Sequence, residues 1–344
     1  MTFYVGDIHL GYERKSFTTK AGRARYKTAL YEVAQHYCTS AAIQVGDMFD
    51  KHRTDDLTAV RGATLMKGLG GVLAGNHDLI NSRDELSTLG LLTEQRVADS
   101  VMPTYDQPYT FKLDDLGEVV NTLVPYCYTQ ELFEQSLDLA CKEAFKDEVL
   151  NVLVIHANYN SPWELTETTN NLTKEKAKEL LEHFDYIVSG HEHNYAEHLG
   201  GRLIMTGSVM PLSSEEYTDK YVVEITPEGV QKHKIWDSKL SCGAYDVNDA
   251  PQTLPEGIQF VHIKGTASEL RHAEMMKIVA GWWEESDSLL VCKPEYAIES
   301  VDDTESLDAL NLATNVNVVD VVRSVLKGRA LEVFNGLVEK TNAD

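Results

Sequence analysis

Five short apolar runs each end in side chains that bind metal ions or move protons. They close on Asp7-Ile8-His9, on Gly46-Asp47-Met48-Phe49-Asp50, on Gly75-Asn76-His77-Asp78, on His156-Ala157-Asn158 and on Gly190-His191-Glu192-His193. A plain turn accepts asparagine or aspartate readily, but it has no need of a histidine between them. Imidazole, carboxylate and amide oxygen together suit manganese, iron or zinc better than a thiolate metal site does. A carboxylate between two such cations can bridge them, and the pair then clamps a phosphoryl group. Asp7 and His9 lie two residues apart, as do His191 and His193. In extended backbone that spacing turns both side chains of a pair to the same side. Taken singly, an Asp-x-His pair or a Gly-Asp turn is ordinarily structural. The combination of all five, each after a strand, carries the metal expectation.

The elements that must position these groups read as an α/β layered domain over residues 1–237. The pattern predicts strands at Thr2–Gly6, Ala41–Gly46, Gly71–Gly75, Asn151–His156, Tyr186–Gly190 and Arg202–Gly207, several apolar on both faces and so buried from both sides. Helices are expected over Ala24–Tyr37, Asp55–Gly68 and Thr173–Phe184. In an open α/β sheet, ligands bind beyond the carboxyl ends of the strands, so the clusters are expected to converge on one sheet edge. Ser, Gly, Asn, Asp and Pro over Ser238–Glu256 predict a linker. A small α/β unit is expected at 255–298, with strands at Ile258–Lys264 and Leu289–Lys293 around a helix at about Ser268–Glu284. That helix opens on a capping box, Thr266-Ala267-Ser268-Glu269. An acidic stretch, Glu299–Asp308, leads to a C-terminal helical segment within 310–344. There Val318, Val322, Val325 and Leu326 form one apolar stripe.

Bulk properties narrow the class. The chain has 344 residues, 43% of them hydrophobic, and a formal net charge of −23, enough apolar material for a sizeable core. The five cysteines are scattered without a C-x-x-C pair, which argues against a disulfide framework and for a reducing cytosol. No run approaches the length of a membrane span and the N-terminus lacks a signal-peptide pattern, so the expectation is a cytoplasmic protein. A charge of −23 taken alone opposes nucleic acid. Basic residues nevertheless follow two of the metal motifs: Arg14 and Lys15 open a basic stretch after Asp7-x-His9, and Lys51-His52-Arg53 follows Asp47. That placement favours phosphate-backbone contact. His36, His183, His198, His233, His262 and His272 lie off the motifs and read as surface or helix residues. Trp282-Trp283 read as core.

Asp7-x-His9, Gly46-Asp47, Gly75-Asn76-His77-Asp78, His156 and Gly190-His191-x-His193 resemble the signature of the calcineurin-like metallophosphoesterases. Within that superfamily the chain most resembles the SbcD-type nucleases of double-strand-break repair, in a short, phage-like form. Gly207-Ser208 with Pro211-Leu212-Ser213 is similar to a further segment of that family. The resemblance implies a metallophosphoesterase β-sandwich flanked by helices, a small α/β capping domain for DNA recognition and a C-terminal helix that docks a partner. It implies two divalent ions, manganese foremost. One would be held by Asp7, His9, Asp47 and His193, the other by Asp47, Asn76, His156 and His191, with Asp47 bridging. His77 would be the acid at the leaving oxygen and Asp78 the residue that orients it. Related nucleases often carry a histidine three residues after the bridging aspartate; Asp50 stands there in this chain, with His52 nearby, either as a carboxylate supporting the site or as a structural residue.

The same resemblance implies a manganese-dependent DNA nuclease, a 3′→5′ exonuclease on double strands and an endonuclease on single strands, serving DNA repair, recombination and replication. It implies a homodimer joined in a heterotetramer to a coiled-coil, SMC-like ATPase of the SbcC type; the sequence has no P-loop of its own, so any ATP dependence would come from outside. The protein would then be nucleoid-associated, or in the host cytoplasm if phage-encoded. Two other functions fit the same residues: a phosphatase or small-nucleotide phosphodiesterase, and a scaffold that keeps the fold without chemistry. The intact set of seven ligand candidates counts against the scaffold.

Overall fold

The computed structural model of the chain describes residues 1–12, 20–80, 86–95, 100–101, 110–113, 119–144, 149–161, 170–212, 216, 218–238, 242–246, 249, 251 and 260–264. Arg14 and Lys15, the helix and second strand expected within 255–298, and the C-terminal segment 310–344 lie outside the described residues.

In chain order the elements are β1 (Thr2–Val5), α1 (Lys20–Tyr37), β2 (Ala42–Gln44), α2 (Asp56–Met66), β3 (Gly71–Leu73), α3 (Thr88–Glu94), β4 (Ser100–Val101), β5 (Phe111–Leu113), β6 (Val119–Val124) and α4 (Gln130–Glu143). Then follow β7 (Leu150–His156), β8 (Asn158–Tyr159), β9 (Asn171–Leu172), α5 (Lys174–Leu180), β10 (Tyr186–Gly190), β11 (Ala196–His198), β12 (Leu203–Met205), β13 (Lys220–Thr226), β14 (Gly229–Trp236), β15 (Cys242–Asp246) and β16 (Phe260–Lys264). The helix starts at Asp55 and Thr173 expected from sequence are N-caps. Asp55 accepts from the Thr58 amide at 2.9 Å and Thr173 from the Lys176 amide at 3.2 Å, each worth about 1 kcal/mol.

Two six-stranded sheets, ordered β14-β13-β1-β2-β3-β4 and β11-β12-β10-β7-β6-β5, lie face to face. Between them Tyr4, Ile43, Val45 and Leu73 of the first meet Val119, Leu123, Val152, Val154 and Val188 of the second. The outer face of the first sheet is covered by α1 and α2 through Leu30, Ala34, Leu65 and Met66. That of the second is covered by α4 and α5 through Phe133, Leu137 and Leu180. The central strands are thus buried on both faces, which is why they read as unbroken apolar runs. The inner layer also holds a polar contact: the buried Tyr4 hydroxyl donates to Asn121 at 2.6 Å.

Two expectations are corrected. The clusters do not share one edge of one sheet. Those after β1, β2 and β3 belong to the first sheet, and those after β7 and β10 to the second, so the site forms where the two layers meet. The segment expected as a linker contains β15, which pairs in parallel with β16 from Cys242↔Phe260 to Asp246↔Lys264. Cys-Gly-Ala-Tyr-Asp has too short and mixed a pattern to declare a strand; its partner strand fixes it.

Candidate metal centre

The loops that carry the candidate residues are tied together through their backbones. The Ile8 and His9 amides both donate to the Asp47 carbonyl, at 3.1 and 2.9 Å. The Asp7 amide donates to Gly207 O at 3.2 Å, and Val209 N donates back to Asp7 O at 3.0 Å. Asp78, 1% exposed, accepts three amides: Met48 at 3.1 Å, Phe49 at 3.0 Å and Gly75 at 3.0 Å. The His77 amide donates to Asp47 Oδ1 at 2.9 Å.

Three candidates hold left-handed backbone: His9 (φ 50°), Asp47 (φ 54°) and His191 (φ 82°). For residues with a Cβ this conformation costs on the order of 1–3 kcal/mol each and persists where surroundings over-determine it. It also corrects the reason for the pairing of Asp7 with His9 and of His191 with His193. These pairs are not extended strand; a left-handed residue turns the chain so that both members face one point. Gly46 (φ 102°) must lack a side chain, because a Cβ there would lie 2.0 Å from His156 Nδ1.

All seven expected ligands converge. Ligand atoms of Asp7, His9 and His193 lie within 4.8 Å of one another, as do those of Asp47, His156 and His191. Asp47 Oδ2 stands between the two groups, 3.5 Å from His9 Nε2 and 3.3 Å from His156 Nε2. Asn76 Oδ1 joins the second group, 3.1 Å from His156 Nε2 and 2.9 Å from His191 Nδ1. A third grouping, His9, Asp47 and His77, places the expected acid beside the first.

The electrostatics are those of a site built around cations. Asp7 and Asp47 are buried acids side by side. Burial first, then the neighbouring Asp47 charge, push Asp7 up to about 7 against the pull of His156 and His193. Burial also opposes the charge on Asp47, but His156, His9 and His77 hold it well below the usual carboxylate range. Burial drives His9 and His191 down to about 3, so both rings are neutral and each could offer a lone pair to a cation. His156 is held up at about 9, because Asp47 and Asp7 outweigh its burial. Both His9 ring nitrogens are buried without a hydrogen-bond partner. An unpaired buried polar atom costs about 1–3 kcal/mol, and a divalent cation would satisfy it. The donor set and the orphaned imidazole fit such ions.

His77 is exposed in a cleft of about 650 Å³ lined also by His9, Tyr12, Asp50, Asn158 and His191. Its Nδ1 lies 2.7 Å from the Asp50 carbonyl oxygen. Sequence expects Asp78 to orient His77; the Asp50 carbonyl holds the ring, and Asp78 instead ties the loop after β2 to the loop after β3. The Asp50 carboxylate lies 3.7 Å from His9 Nδ1, which places this residue against the site. Lys51, His52 and Arg53 are exposed on the loop that follows. Sequence reasoning missed Glu216 and Lys220, which touch His193 from a loop and a strand that carry no motif. Neither lies on a helix, so the i,i+4 spacing of acid and base carries no signal for the pair.

A family model described as calcineurin-like phosphoesterase matches residues 2–195. A comparison with curated proteins finds no match. The matched segment contains every expected metal ligand and ends before Glu216. Among the described residues, no helix is long and apolar enough to cross a membrane.

Proposed function

The chain belongs to the calcineurin-like phosphoesterase family, and from that premise we propose that it is a manganese-dependent DNA nuclease of the SbcD type. As a member it is a metal-dependent phosphoester hydrolase. The observation that carries the proposal is the place of Asp47 Oδ2, between a group of Asp7, His9 and His193 and a group of Asn76, His156 and His191. One ion would be held by Asp7, His9, Asp47 and His193, the other by Asp47, Asn76, His156 and His191. When bound, the ions supply Lewis-acid charge to the phosphoryl oxygens and to the attacking water.

The chain's own groups do the rest. His77 donates its Nδ1–H to the Asp50 carbonyl, which leaves Nε2 for the leaving oxygen, where it would act as the acid. Asp78 fixes the backbone on which Asp47 and His77 sit. Lys51 and Arg53, exposed on the loop after Asp47 in a strongly acidic chain, are the groups proposed to take the DNA backbone. Homodimerisation and assembly with a coiled-coil ATPase through residues 310–344 complete the proposal.

Digestion of linear duplex and single-stranded DNA with manganese, with and without such an ATPase, tests it. Comparison with bis-p-nitrophenyl phosphate and a phosphoprotein separates the alternatives. Metal-dependent shortening of DNA supports the nuclease. Turnover of the small diester or the phosphoprotein without any DNA cleavage would replace it with a phosphodiesterase or phosphatase.

A further inference from the structure

His193 is held by a network that starts outside the matched segment. Its Nδ1 lies 2.9 Å from Glu216 Oε1. The other oxygen of Glu216 accepts the Leu212 amide at 3.0 Å and Lys220 Nζ at 3.1 Å, and lies 3.1 Å from the Ser208 hydroxyl. The Lys220 ammonium, fully buried, also donates to the His193 carbonyl at 2.7 Å. The lysine therefore grips both the backbone of His193 and the carboxylate that holds its ring. The Ser208 amide donates to the same carbonyl at 3.0 Å.

A buried lysine and glutamate are costly to take out of water, and their attraction repays this only with good geometry and further hydrogen bonds. Here both partners reach His193, Lys220 at its carbonyl and Glu216 at its ring. A neutral imidazole carries its single proton on one nitrogen, and the hydrogen bond made by that nitrogen decides which. A carboxylate with no proton to give must accept from Nδ1–H. That leaves the lone pair on Nε2, which lies 3.7 Å from Asp7 Oδ2 and faces the Asp7, His9 and His193 group.

We propose that Glu216, set by Lys220, is a positioning residue that locks His193 in the Nδ1–H tautomer and aims Nε2 at the ion held with Asp7 and His9. The proposal rests on the two-ion assignment above. It extends the functional unit past the matched segment, to the start of β13. It also predicts an asymmetry between the sites. The His156 ring is fixed by a backbone carbonyl, Val45 O at 2.9 Å, so a side-chain substitution at Glu216 disturbs one ion and leaves the other.

The test uses the full chain with ¹⁵N-labelled histidine, freed of metal, at alkaline pH where the ring is neutral. Wild type shows His193 protonated at Nδ1. Glu216→Gln, whose single oxygen is claimed by Lys220, Leu212 and Ser208, turns its NH2 to Nδ1 and shifts the ring to the Nε2–H tautomer. Glu216→Leu combined with Lys220→Met removes the buried pair together, so that no charge is stranded, and loses the Nδ1–H tautomer. Manganese calorimetry on the same proteins shows two ions in wild type. In the double variant one ion binds about 10–100-fold more weakly, the range for lost support of a ligating histidine, and the other is unchanged. An Nε2–H tautomer in wild type overturns the proposal whatever the variants do. So does a folded double variant with both wild-type affinities. Wild type that binds no divalent ion would sink the two-ion assignment instead, and the tautomer spectra would still judge Glu216.

Discussion

Replacing Gly46 by alanine perturbs the metal centre with a single methyl group. Two costs follow from the structure. Gly46 has φ 102°, and a residue with a Cβ in such backbone costs about 1–3 kcal/mol. The new Cβ would also sit 2.0 Å from Nδ1 and 2.5 Å from Cγ of His156. That ring is fully buried and bonded to Val45 O, so it cannot step aside freely. Overpacking of this kind costs a further ~1–3 kcal/mol. Gly200 supplies the control, since it has φ 73° but nothing within 4 Å of an added Cβ. Gly200→Ala therefore carries only the backbone cost, about 1–2 kcal/mol. At roughly 2–4 °C per kcal/mol for a domain of this size, Gly46→Ala melts about 4–24 °C below wild type and Gly200→Ala about 2–8 °C below. Circular dichroism melts in EDTA measure both. Manganese calorimetry adds a second readout, because a displaced His156 weakens the Asp47, His156 and His191 group while Gly200→Ala leaves both ions alone. Equal melting of the two variants together with wild-type metal binding in Gly46→Ala would refute the steric account.

His77→Ala keeps both ions in a metal assay but loses about 10²–10⁴-fold in turnover, as for removal of a general acid; stoichiometric loss of metal would move His77 into the ligand set. Asp47→Ala loses more bound manganese than His9→Ala, and single-ion losses in both would contradict a bridging carboxylate. His156, held up at about 9 by Asp47 despite its burial, carries a proton at neutral pH in metal-free protein. Manganese uptake at pH 7 therefore releases a proton and strengthens toward pH 9, which calorimetry in buffers of different ionisation enthalpy detects. In EDTA the same group's stabilisation is complete below its unfolded value of about 6.5 and is lost as pH rises through about 9; melts that rise over that window would contradict it. Deletion of residues 311–344 leaves manganese-dependent cleavage of single-stranded DNA intact and abolishes co-purification with the ATPase, whereas loss of basal cleavage would place the segment in the nuclease core.

The convergence of the seven candidates was legible because each follows a strand buried on both faces. Such strands are unbroken apolar runs, and a metal-binding residue at their end stands out sharply. The meeting of two sheets was not legible, because the pairing of β1 with β2 or of β7 with β10 leaves no mark that distinguishes one sheet from the other. β6 escaped notice because Asn121 and Thr122 interrupt its apolar run, yet both are buried and Asn121 Oδ1 accepts from the Tyr4 hydroxyl. Asp78 was legible as important but not in its action. Two of its three amide donors, Met48 and Phe49, lie on a loop about thirty residues earlier in the chain. Glu216 lay hidden in Ser213-Ser214-Glu215-Glu216, which reads as a solvated loop, because its burial depends on Lys220 folding back over His193.

Cation binding and folding stability are coupled here by charge. Asp7, Asp47, Asp78 and Glu216 are all buried within one region, and the Lys220 ammonium pairs directly with the last of them. Burial pushes Asp7 and Asp78 up to about 7, so at neutral pH the metal-free site strains between holding protons and holding charge. His9, Asp47 and His191 add left-handed backbone to that cost. Fold retention alone would be served better by apolar side chains in relaxed backbone, since replacing buried charge by well-packed apolar groups is often neutral or stabilising. A pair of divalent cations relieves the acid repulsion and takes up one of the two orphaned nitrogens of His9. Ions that bind the folded state and not the unfolded one stabilise it by mass action. Manganese therefore raises the melting temperature of wild type, and it raises that of Asp47→Ala less, because the carboxylate between the two groups is gone.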